Sequence, residues 1–429
     1  MPEFLTLLPP DEARALLLSH LLRDKPVIDS ESIDVSASLG RVLAEDIVAP
    51  HPLPDFQRTT VDGYAVRASD THGASDSLPT YLTLIGEVPM GDAPGFEIGP
   101  GQCALIHTGG MLPVGADAVV MLEYTQAVAR SGLSPERSGG HEIEIFRAVA
   151  DGENVIRIGE DVAQGQMVQA KGSLMRPAEI GGLLALGITS VRVARKIRVG
   201  LISSGDEVID PSQSPHPGQV RDINSYTLGA LVEKSGGVAN RYGIVSDQFE
   251  ALKEAAAKAL SECDVVVITA GSSASTRDMT ADVIRSLGEP GVLVHGINTR
   301  PGKPTILGVC NDKAMIGLPG NPVSALVNGY LFVVPVIEKL LGALPKPKAT
   351  LPARLTVNLP SQAGREDWWP VKLLPSPSGR GAEGGVFEAE PIFGKSNLIF
   401  TLASADGILR IHPDATGLSA GEVVEVFLI

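Results

Sequence analysis

The sequence predicts a multidomain α/β plus β protein with a central, doubly wound, mostly parallel α/β sheet domain. Three observations carry this prediction. The chain has 429 residues, well beyond one ordinary domain of roughly 150. Strand-like and helical segments alternate from Ile197 to about residue 345. The segments before and after this region are rich in short β runs separated by Gly and Pro.

Composition is that of an ordinary globular protein, with 44% hydrophobic and 20% charged residues. The net charge of −15 argues against a nucleic-acid-binding surface, because phosphate contacts need a surplus of Lys and Arg. Cys103, Cys263 and Cys310 have no metal-ligand spacing and suit a reducing compartment. The N-terminus lacks a signal-peptide pattern, and polar residues interrupt the apolar stretch Ala325–Leu344. We therefore expect a cytoplasmic protein without nucleic-acid or membrane partners.

The first domain is predicted to be discontinuous. Apolar residues on one helical face of residues 11–22 indicate a helix. Residues 47–146 contain β runs such as "YLTLIGEV" and are predicted to form an inserted β-rich domain. Residues 147–194 mix strand-like pieces with a short helix, so we expect them to complete a mixed α/β domain with residues 1–46.

Residues 195–345 are predicted to form the α/β domain, because "IRVGLIS", "ANRYGIV" and "DVVVITAG" each precede a helical segment. Asp247 and Glu250 form a predicted capping pair, Gly236 a helix end, and Pro322 the start of a long helix. Residues 346–429 alternate short β runs with turns, which indicates a small barrel or sandwich.

Four unusual loops fall at the carboxyl ends of predicted strands, where open α/β sheets bind ligands. They are "SSGDEV" (Ser203–Val208), "TAGSSASTRD" (Thr269–Asp278), "TRPGKP" (Thr299–Pro304) and "GLPGNPVSAL" (Gly317–Leu326). Taken alone, "PGNP" is most often a turn, and a Lys beside glycine is most often solvated. Together the loops favour a phosphate or oxyanion site, with Arg300, Lys303 and the free N–H groups of the helix after Pro322 as donors.

Carboxylates occupy the same predicted edge, namely Asp206, Glu207, Asp247 and Asp278. Acids beside a polyanion repel it unless a divalent cation lies between them, and Mg²⁺ commonly takes one or two protein carboxylates plus phosphate oxygens. The alternative is that Asp247 and Asp278 only begin helices. The clustering of the four acids favours a Mg²⁺ site.

The remaining motifs are typical of turns and packing. Asp62 lies in "VDGYAVR", Thr108 in "HTGGMLPVGADAVV", and Asp161 in the charge run "GENVIRIGEDV". His107 has no ligand spacing and is given no role. The Trp368–Trp369 pair is interpreted as packing in the last domain.

Taken in order, "DGYAVR", "TGGMLPVGADAVV", "GEDV", "SSGDEVI", "TRPGKP" and "GLPGNPVSAL" resemble the molybdopterin molybdenumtransferases, bacterial relatives of the gephyrin E-domain. The likeness is strong between about residues 50 and 330 and weak after 350. It implies a homodimer of four-domain subunits. These would be a discontinuous first domain (1–46 and 147–194), an inserted second domain (47–146), an α/β third domain (195–345) and a C-terminal β-barrel (346–429). The active cleft would lie between the third domain of one subunit and the second domain of its partner.

The resemblance also implies a reaction. Molybdate would be joined to the dithiolene of adenylylated molybdopterin, with Mg²⁺ as cofactor and AMP as the released product. The implied partners are adenylylated molybdopterin, molybdate, a second copy of the chain, the adenylylating enzyme and molybdoenzyme chaperones.

The site residues carried over from the family fall into three groups. The implied catalytic residues are Asp62, Glu207, Asp247, Asp278 and Lys303, with Asp247 and Asp278 as the Mg²⁺ ligands. The implied molybdate-binding residues are Arg300, Lys303, Ser324, Arg365 and Ser396. The implied substrate-binding residues are Thr108, Asp161, Ser204, Gly205, Asp206, Gly271, Ser273, Pro319, Gly320 and Asn321.

The chain departs from the family pattern at several positions. Residues 58–61 replace N-S-A-M, Ala270 and Ser275 replace glycines, Arg300 stands where the family commonly has Lys, and Gly296 replaces an upstream Lys. Arg keeps the positive charge, but its planar guanidinium donates through a fork of N–H groups, whereas the Lys ammonium is a point donor. A different oxyanion preference is therefore one alternative, namely a tungstate-preferring insertase. A non-catalytic scaffold of the gephyrin type and the related adenylylating enzyme are two others. A scaffold need not keep acids opposite cations, so the presence of both favours a catalytic function. The extra domains on both sides of the α/β domain disfavour the adenylylating enzyme.

Overall fold

A computed structural model of the chain describes residues 7–21, 29–128, 141–270, 274–375 and 387–429. Contacts divide the chain into two compact units. Unit 1 comprises Met1–Ala44, Lys171–Arg176 and Val191–Ile429, and unit 2 comprises Glu45–Ala170 and Pro177–Ser190. The finer division into four domains stays a prediction.

Unit 1 begins with the predicted N-terminal helix, α1 (Pro10–His20), followed by β1 (Ser30–Asp34) and a 3₁₀ turn (Val35–Ala37). Proline suits the first helical position, because its missing N–H would have no partner there in any case. Ala13 and Leu17 are fully buried, so the apolar stripe in the sequence is the packed face of this helix.

Unit 2 is rich in strands. Its elements are β2 (Ile47–Val48), β3 (Arg58–Thr59), β4 (Gly63–Val66), β5 (Thr80–Glu87), β6 (Gln102–Ile106), β7 (Ala118–Met121), β8 (Thr125–Val128), β9 (Glu142–Ile145), β10 (Val155–Ile156), β11 (Met167–Gln169) and α2 (Pro177–Ala185), with 3₁₀ turns at Ala68–Thr71 and Leu122–Tyr124. Within the described residues, one mixed sheet runs in the order β7-β4-β6-β5-β9-β8, in which β5 and β6 are parallel. At Gly63 a Cβ atom would overlap the Val120 carbonyl, so glycine permits the close approach of β4 and β7.

The chain then forms β12 (Ser190–Ala194), which pairs with β1, and enters the α/β region. Its strands are β13 (Ile197–Ser204), β14 (Val208–Ile209), β15 (Val220–Arg221), β16 (Gly237–Val245), β17 (Val265–Ala270), β18 (Pro290–His295), β19 (Thr299–Arg300), β20 (Ile306–Cys310) and β21 (Lys313–Pro319). Its helices are α3 (Asn224–Lys234), α4 (Phe249–Glu262), α5 (Ala274–Leu287), α6 (Pro322–Asn328) and α7 (Val334–Leu341), with a π-helical turn at Gly329–Val333.

The central sheet of the described chain has the order β16-β13-β17-β21-β20-β18. The pairings from β16 to β21 are parallel, whereas β20 is antiparallel to both of its neighbours. The mostly parallel sheet is therefore confirmed, and β20 is its reversed strand. Because β20 is reversed, β18 runs in the same direction as the parallel strands.

The predicted capping pair of Asp247 and Glu250 is wrong, and so is the alternative in which Asp278 only begins a helix. Helix α4 has no side-chain cap, and the Asp247 carboxylate instead accepts a hydrogen bond of 2.7 Å from Ser204 Oγ. Asp247 follows the end of β16 beside the end of β13, so the hydroxyl of the neighbouring strand competes with the helix for its carboxylate. Helix α5 begins at Ala274, which places Asp278 inside the helix and not at its start. Gly236 follows α3 with φ of 89°, as predicted for a helix end.

The helix predicted at Pro322 is continuous through α6, the π turn and α7 as far as Leu341. Its 20 residues and hydropathy of 1.5 would also fit a membrane span, but 67% of this apolar stretch is buried inside the molecule. Such burial is typical of a core helix. Residues of this helix, including Phe332 and Ile337, belong to the main hydrophobic core of unit 1.

The last region forms a barrel. Its elements are β22 (Thr350–Leu355), β23 (Leu359–Pro360), β24 (Glu366–Leu374), β25 (Phe387–Pro391), α8 (Phe400–Ala403), β26 (Gly407–Ile411), β27 (Gly417–Leu418) and β28 (Val423–Leu428). In the described chain, β24-β25-β22-β28-β26 closes into a ring through a pairing of β24 with β26. This confirms the barrel and excludes the sandwich. Strand β19 also joins the barrel by parallel pairing with β24.

Candidate functional site

The carboxyl ends of β13, β16, β17, β18 and β21 lie at one edge of the central sheet, because these strands run in the same direction. The loops singled out in the sequence follow β13, β17, β18 and β21, so they leave the sheet at this edge. The loop Thr299–Pro304 is also anchored to the barrel, because Thr299 and Arg300 pair with Glu366 and Asp367.

A cavity of about 690 Å³ lies where this loop, the start of α6 and the barrel meet. It is lined by Thr299, Arg300, Pro301, Gly302, Lys303, Pro304, Pro319, Asn321, Val323, Ser324, Arg365, Trp368, Trp369, Pro370, Ile392, Gly394, Lys395, Ser396, Asn397 and Thr401. The structure thus brings together all five residues that the resemblance implied for molybdate, along with Pro319 and Asn321. Their positions agree with a shared site, and their roles stay predictions.

The cavity is cationic. Arg300, Lys303, Arg365 and Lys395 line it, and no Asp or Glu does so among the described residues. Arg365 is paired with Asp367, which is fully buried, through Nε–Oδ1 and Nη2–Oδ2 contacts of 2.6 and 2.9 Å. Hydrogen bonding to Asp367 raises the pKa of Arg365 above its ordinary value. In the part of the chain that the structure describes, the other three cations have no carboxylate partner, which favours an anionic ligand.

Both tryptophans pack in the last region, and Trp369 also contacts a cation of the cavity. Trp368 is buried and donates from Nε1 to Glu366 Oε1 at 2.8 Å, as expected for packing. Trp369 is half-buried and packs against the hydrophobic core of the barrel, so the packing interpretation holds for it as well. Its ring also lies under the guanidinium of Arg300, 5.5 Å from Cζ to the ring centroid. Arginine stacks on an aromatic face in a way that lysine does not.

The start of α6 offers fewer donors than predicted. Pro322 has no N–H, and the N–H of Val323 donates to Ser396 O at 3.0 Å. The Asn321 side chain donates to Ser396 Oγ at 3.1 Å. Within the described chain, the N–H of Ser324 is left as the unpaired backbone donor of the first turn. The helix end is thus largely satisfied by the barrel, and the anionic site depends mainly on side chains.

A second group of predicted residues lies at the same edge outside the cavity lining. Ser204 donates to Asp247, and the N–H of Asp247 donates to Asp206 Oδ1 at 3.2 Å. Gly205, with φ of 153°, leaves no room for a Cβ atom beside the Glu207 carboxylate. Asp278 is exposed on α5. Gly320, Gly271 and Ser273 complete the predicted set. Gly320 accepts a hydrogen bond of 2.8 Å from Asn224 Nδ2, and the other two lie outside the described residues.

Sequence reasoning missed a buried carboxylate at this edge. Asp222 accepts hydrogen bonds from Ser203 Oγ at 2.9 Å and from Ser225 Oγ at 2.6 Å. It links the end of β13 to the start of α3. The D-x-x-S spacing of Asp222 and Ser225 was a local signal, but the contact with Ser203 depends on the fold.

The structure describes Asp62, Thr108 and Asp161 in unit 2. The N–H and Oγ1 of Thr108 donate to Asp62 Oδ1 at 2.8 and 3.1 Å. The backbone hydrogen bond from Thr108 contributes most to a lowered pKa of Asp62. His107, which received no role, contacts Glu87 at 2.8 Å and Asp62 at 3.9 Å. Asp161 is exposed, and its N–H donates to Leu53 O at 3.1 Å.

Among the described residues, no group of three or more His, Cys, Asp or Glu side chains has a metal-binding arrangement. A Mg²⁺ ion held by one or two carboxylates and by substrate oxygens does not require such a group. Asp247 and Asp278 therefore fit that kind of site by the chemistry of their side chains.

Three protein-family models match the chain along its length. The MoeA N-terminal region (domain I and II) matches residues 8–187, a probable molybdopterin binding domain matches residues 200–339, and the MoeA C-terminal region (domain IV) matches residues 352–429.

Individual proteins are similar over nearly the whole chain. A putative molybdopterin biosynthesis protein of Methanocaldococcus jannaschii is 38% identical over 93% of this chain and 92% of its own length. The molybdopterin molybdenumtransferase of Bacillus subtilis is 32% identical over 94% of this chain and 90% of its own. The crystal structure of a molybdopterin biosynthesis MoeA protein from Pyrococcus horikoshii has 34% identity and a TM-score of 0.81, covering 99% of this chain and 100% of that one.

Proposed function

Because the chain belongs to the MoeA family of molybdopterin molybdenumtransferases, enzymes of molybdenum cofactor biosynthesis, we propose that it joins molybdate to the dithiolene of adenylylated molybdopterin. In this proposal, AMP is released in a step that depends on Mg²⁺. The observation that carries it is the cavity at the sheet edge, which contains no described carboxylate and is lined by three cations that have no carboxylate partner in the described chain.

The cavity has the chemistry of a tetrahedral dianion site. Arg300 offers a planar fork of donors and Lys303 a compact ammonium, and charge-assisted hydrogen bonds of this kind are the strong ones. Ser324 adds a hydroxyl and an N–H at the helix start that has no partner among the described residues. Asp367 neutralises Arg365, so that side chain contributes a fixed donor surface more than net charge. These residues would bind and orient molybdate for attack by the dithiolene.

The adjacent loops would hold the nucleotide side of the substrate. Ser204, Gly205 and Asp206 follow β13, and Glu207 would orient water or nucleotide beside them. Asp247 and Asp278 would hold Mg²⁺, which when bound supplies charge neutralisation to the AMP phosphate. The hydrogen bonds from Ser204 to Asp247 and from Asp247 to Asp206 hold the first of these acids in place.

We further propose that the active enzyme is a homodimer in which Asp62, Thr108 and Asp161 act on the partner's cleft. The hydrogen bonds from Thr108 keep Asp62 ionised and oriented while its carboxylate stays exposed. An exposed, oriented carboxylate is free to meet a ligand or a partner surface. The adenylylating enzyme and molybdoenzyme chaperones are the proposed further partners, and the cytoplasm is the proposed location.

The reaction is tested by mixing the purified protein with adenylylated molybdopterin, Mg²⁺ and molybdate, and by measuring AMP. AMP should appear only in the complete mixture, and the product should carry molybdenum. Omission of molybdate and replacement of molybdate by tungstate are the matched controls. Absence of AMP from the complete mixture, with a folded dimer present, would contradict the proposed function and favour the scaffold. Faster release with tungstate would favour the tungstate-preferring alternative.

A further inference from the structure

The loop that carries Arg300 and Lys303 rests on a buried asparagine outside the cavity lining. Asn328 is the last residue of α6 and is 0% exposed. Its Nδ2 atom donates to Pro301 O at 3.2 Å and to Ser324 O at 2.8 Å. The carboxamide of Asn328 therefore contacts both the loop that carries Arg300 and Lys303 and the helix turn that carries Ser324.

The orientation of this carboxamide follows from its neighbours. Both hydrogen-bond partners are carbonyl oxygens, so only the NH₂ end of the side chain fits against them. The Oδ1 atom at the other end is buried and has no hydrogen-bond partner in the described chain. An unpaired buried acceptor disfavours the folded state, so packing alone would be served better by an apolar side chain. The two hydrogen bonds from Nδ2 therefore explain why this buried position holds a polar residue.

The loop is shaped to accept this contact. A Cβ atom on Gly302 would overlap Asn328 Nδ2, and Gly302 has φ of 108°. Only glycine lets the loop backbone lie directly on the carboxamide. From the other side, the buried Thr305 donates to Gly302 O from Oγ1 at 2.8 Å, and Ile297 N donates to Lys303 O at 2.8 Å. The turn is thus fixed from both faces.

The helix changes character at the same point. The π turn Gly329–Val333 begins immediately after Asn328. π turns inside α-helices are infrequent and often occur at functional sites. Here the turn separates α6, which carries Ser324, from α7, which is packed in the core.

We propose that Asn328 is a positioning residue of the oxyanion site: its carboxamide holds the Arg300–Lys303 loop against the helix turn of Ser324 and so sets the affinity for a tetrahedral dianion. The inference rests on the proposed function of this cavity and adds a residue that does not touch the ligand. Arg300 and Lys303 flank the Pro301–Gly302 contact, so loss of Asn328 displaces both cations together.

The first test compares Asn328→Ala with Val327→Ala by calorimetric titration of the full-length protein with molybdate and, separately, with AMP. Val327 is the neighbouring residue of α6, is also 0% exposed and is apolar, so it reports the effect of a small core cavity near the same place. Asn328→Ala should raise the Kd for molybdate about 10- to 100-fold, because it weakens two charge-assisted donors, Arg300 and Lys303, together. The Kd for AMP should stay within about twofold, and Val327→Ala should change neither Kd.

The second test does not depend on the folding of Asn328→Ala. Gly302→Ala places a methyl group on the loop side of the same contact and should also weaken molybdate binding more than AMP binding. The double variant Gly302→Ala, Asn328→Ala removes the atom that the new methyl group would meet, so its loss of affinity should be smaller than the product of the single losses.

Three results would overturn the inference: an unchanged molybdate Kd in Asn328→Ala, equal losses for molybdate and AMP, or losses that multiply in the double variant. A wild-type protein that binds AMP but no molybdate would overturn the proposed cavity function along with it. A wild-type protein that binds both, with Asn328→Ala unchanged, would overturn only the role of Asn328.

Discussion

The charge of the cavity comes from how its basic side chains are paired. Arg365 is held by Asp367, whereas Arg300, Lys303 and Lys395 have no carboxylate partner in the described residues. Arg300 instead faces the ring of Trp369. A cation on an aromatic face keeps its charge available to a ligand, because the ring attracts it without neutralising it. This contact gives a physical reason for arginine at a position where the resembled family commonly has lysine.

Lys303→Ala should weaken molybdate binding far more than AMP binding. Loss of one charge-assisted donor is expected to raise the molybdate Kd by about 10- to 100-fold. Titration calorimetry with each ligand measures the difference, and Lys258→Ala on the exposed surface of α4 is the control. Equal losses for both ligands would mean that Lys303 does not belong to the oxyanion site.

Asp367→Asn should lower the free energy of unfolding by about 2 kcal/mol, because it leaves part of the Arg365 fork without its buried acceptor. Urea unfolding measures the change. Asp282→Asn is the matched control, since its pair with Arg285 is on the surface, where such pairs contribute little. Similar losses of unfolding free energy in the two variants would contradict the conclusion that the Arg365–Asp367 pair stabilises the fold more than a surface pair does.

At the scale of elements, the start of β13 is tied to the start of β17. Arg195, just before β13, makes two contacts of 2.7 Å with Asp264, just before β17. The N–H of Arg198 adds a third contact to the same carboxylate at 2.8 Å. Burial raises the pKa of Asp264, but the hydrogen bonds and charge of Arg195, together with Arg198, outweigh burial and hold that pKa below its usual value.

The lowered pKa of Asp264 predicts a pH dependence of stability. Because the folded-state pKa is below the unfolded value near 3.9, the contribution is complete above about pH 4 and is lost as pH falls through the folded-state pKa. Asp264→Asn should therefore lower the free energy of unfolding by about 2 kcal/mol at pH 7, with a smaller difference from wild type at pH 3. Urea unfolding at several pH values measures this, and a difference that grows towards acid pH would contradict it.

At the scale of the whole molecule, one buried hydrophobic cluster of unit 1 joins the barrel to the α/β region. Trp368, Leu402 and Ile408 of the barrel belong to the same buried cluster as Leu17 of α1 and Ile297 beside the cationic loop. The barrel also supplies Arg365, Lys395 and Ser396 to the cavity. Within unit 1, the barrel is therefore part of both the folding core and the site.

A chain shortened to residues 1–345 should be less stable and should bind molybdate poorly. The deletion uncovers apolar surface of the shared cluster and removes five polar cavity residues, namely Arg365, Lys395, Ser396, Asn397 and Thr401, so the molybdate Kd should rise by at least about 100-fold. Thermal unfolding and titration calorimetry measure the two effects. A truncated chain with wild-type molybdate affinity would place the oxyanion site elsewhere.

Local patterns determined much of the architecture. Apolar periodicity identified α1, the alternation of strands and helices identified the mostly parallel sheet, and glycine and proline marked the loops at its carboxyl edge. These features were predictable because the side chains of one element determine which of its faces is buried. The resemblance of ordered motifs then indicated the family and five side chains that line one cavity.

Only the tertiary structure decided the rest, because it depends on groups far apart in the chain. Asp247 bonds Ser204 of a neighbouring strand and not its own helix, and the first free N–H of α6 is taken by Ser396 of the barrel. The local sequence showed that α6 starts at Pro322 and that Asp247 has a capping spacing. It did not show that Ser396 and Ser204 take the hydrogen bonds of these groups. The same is true of Asn328, whose carboxamide meets Pro301 across 27 positions, since no periodicity encodes which loop a buried amide will support.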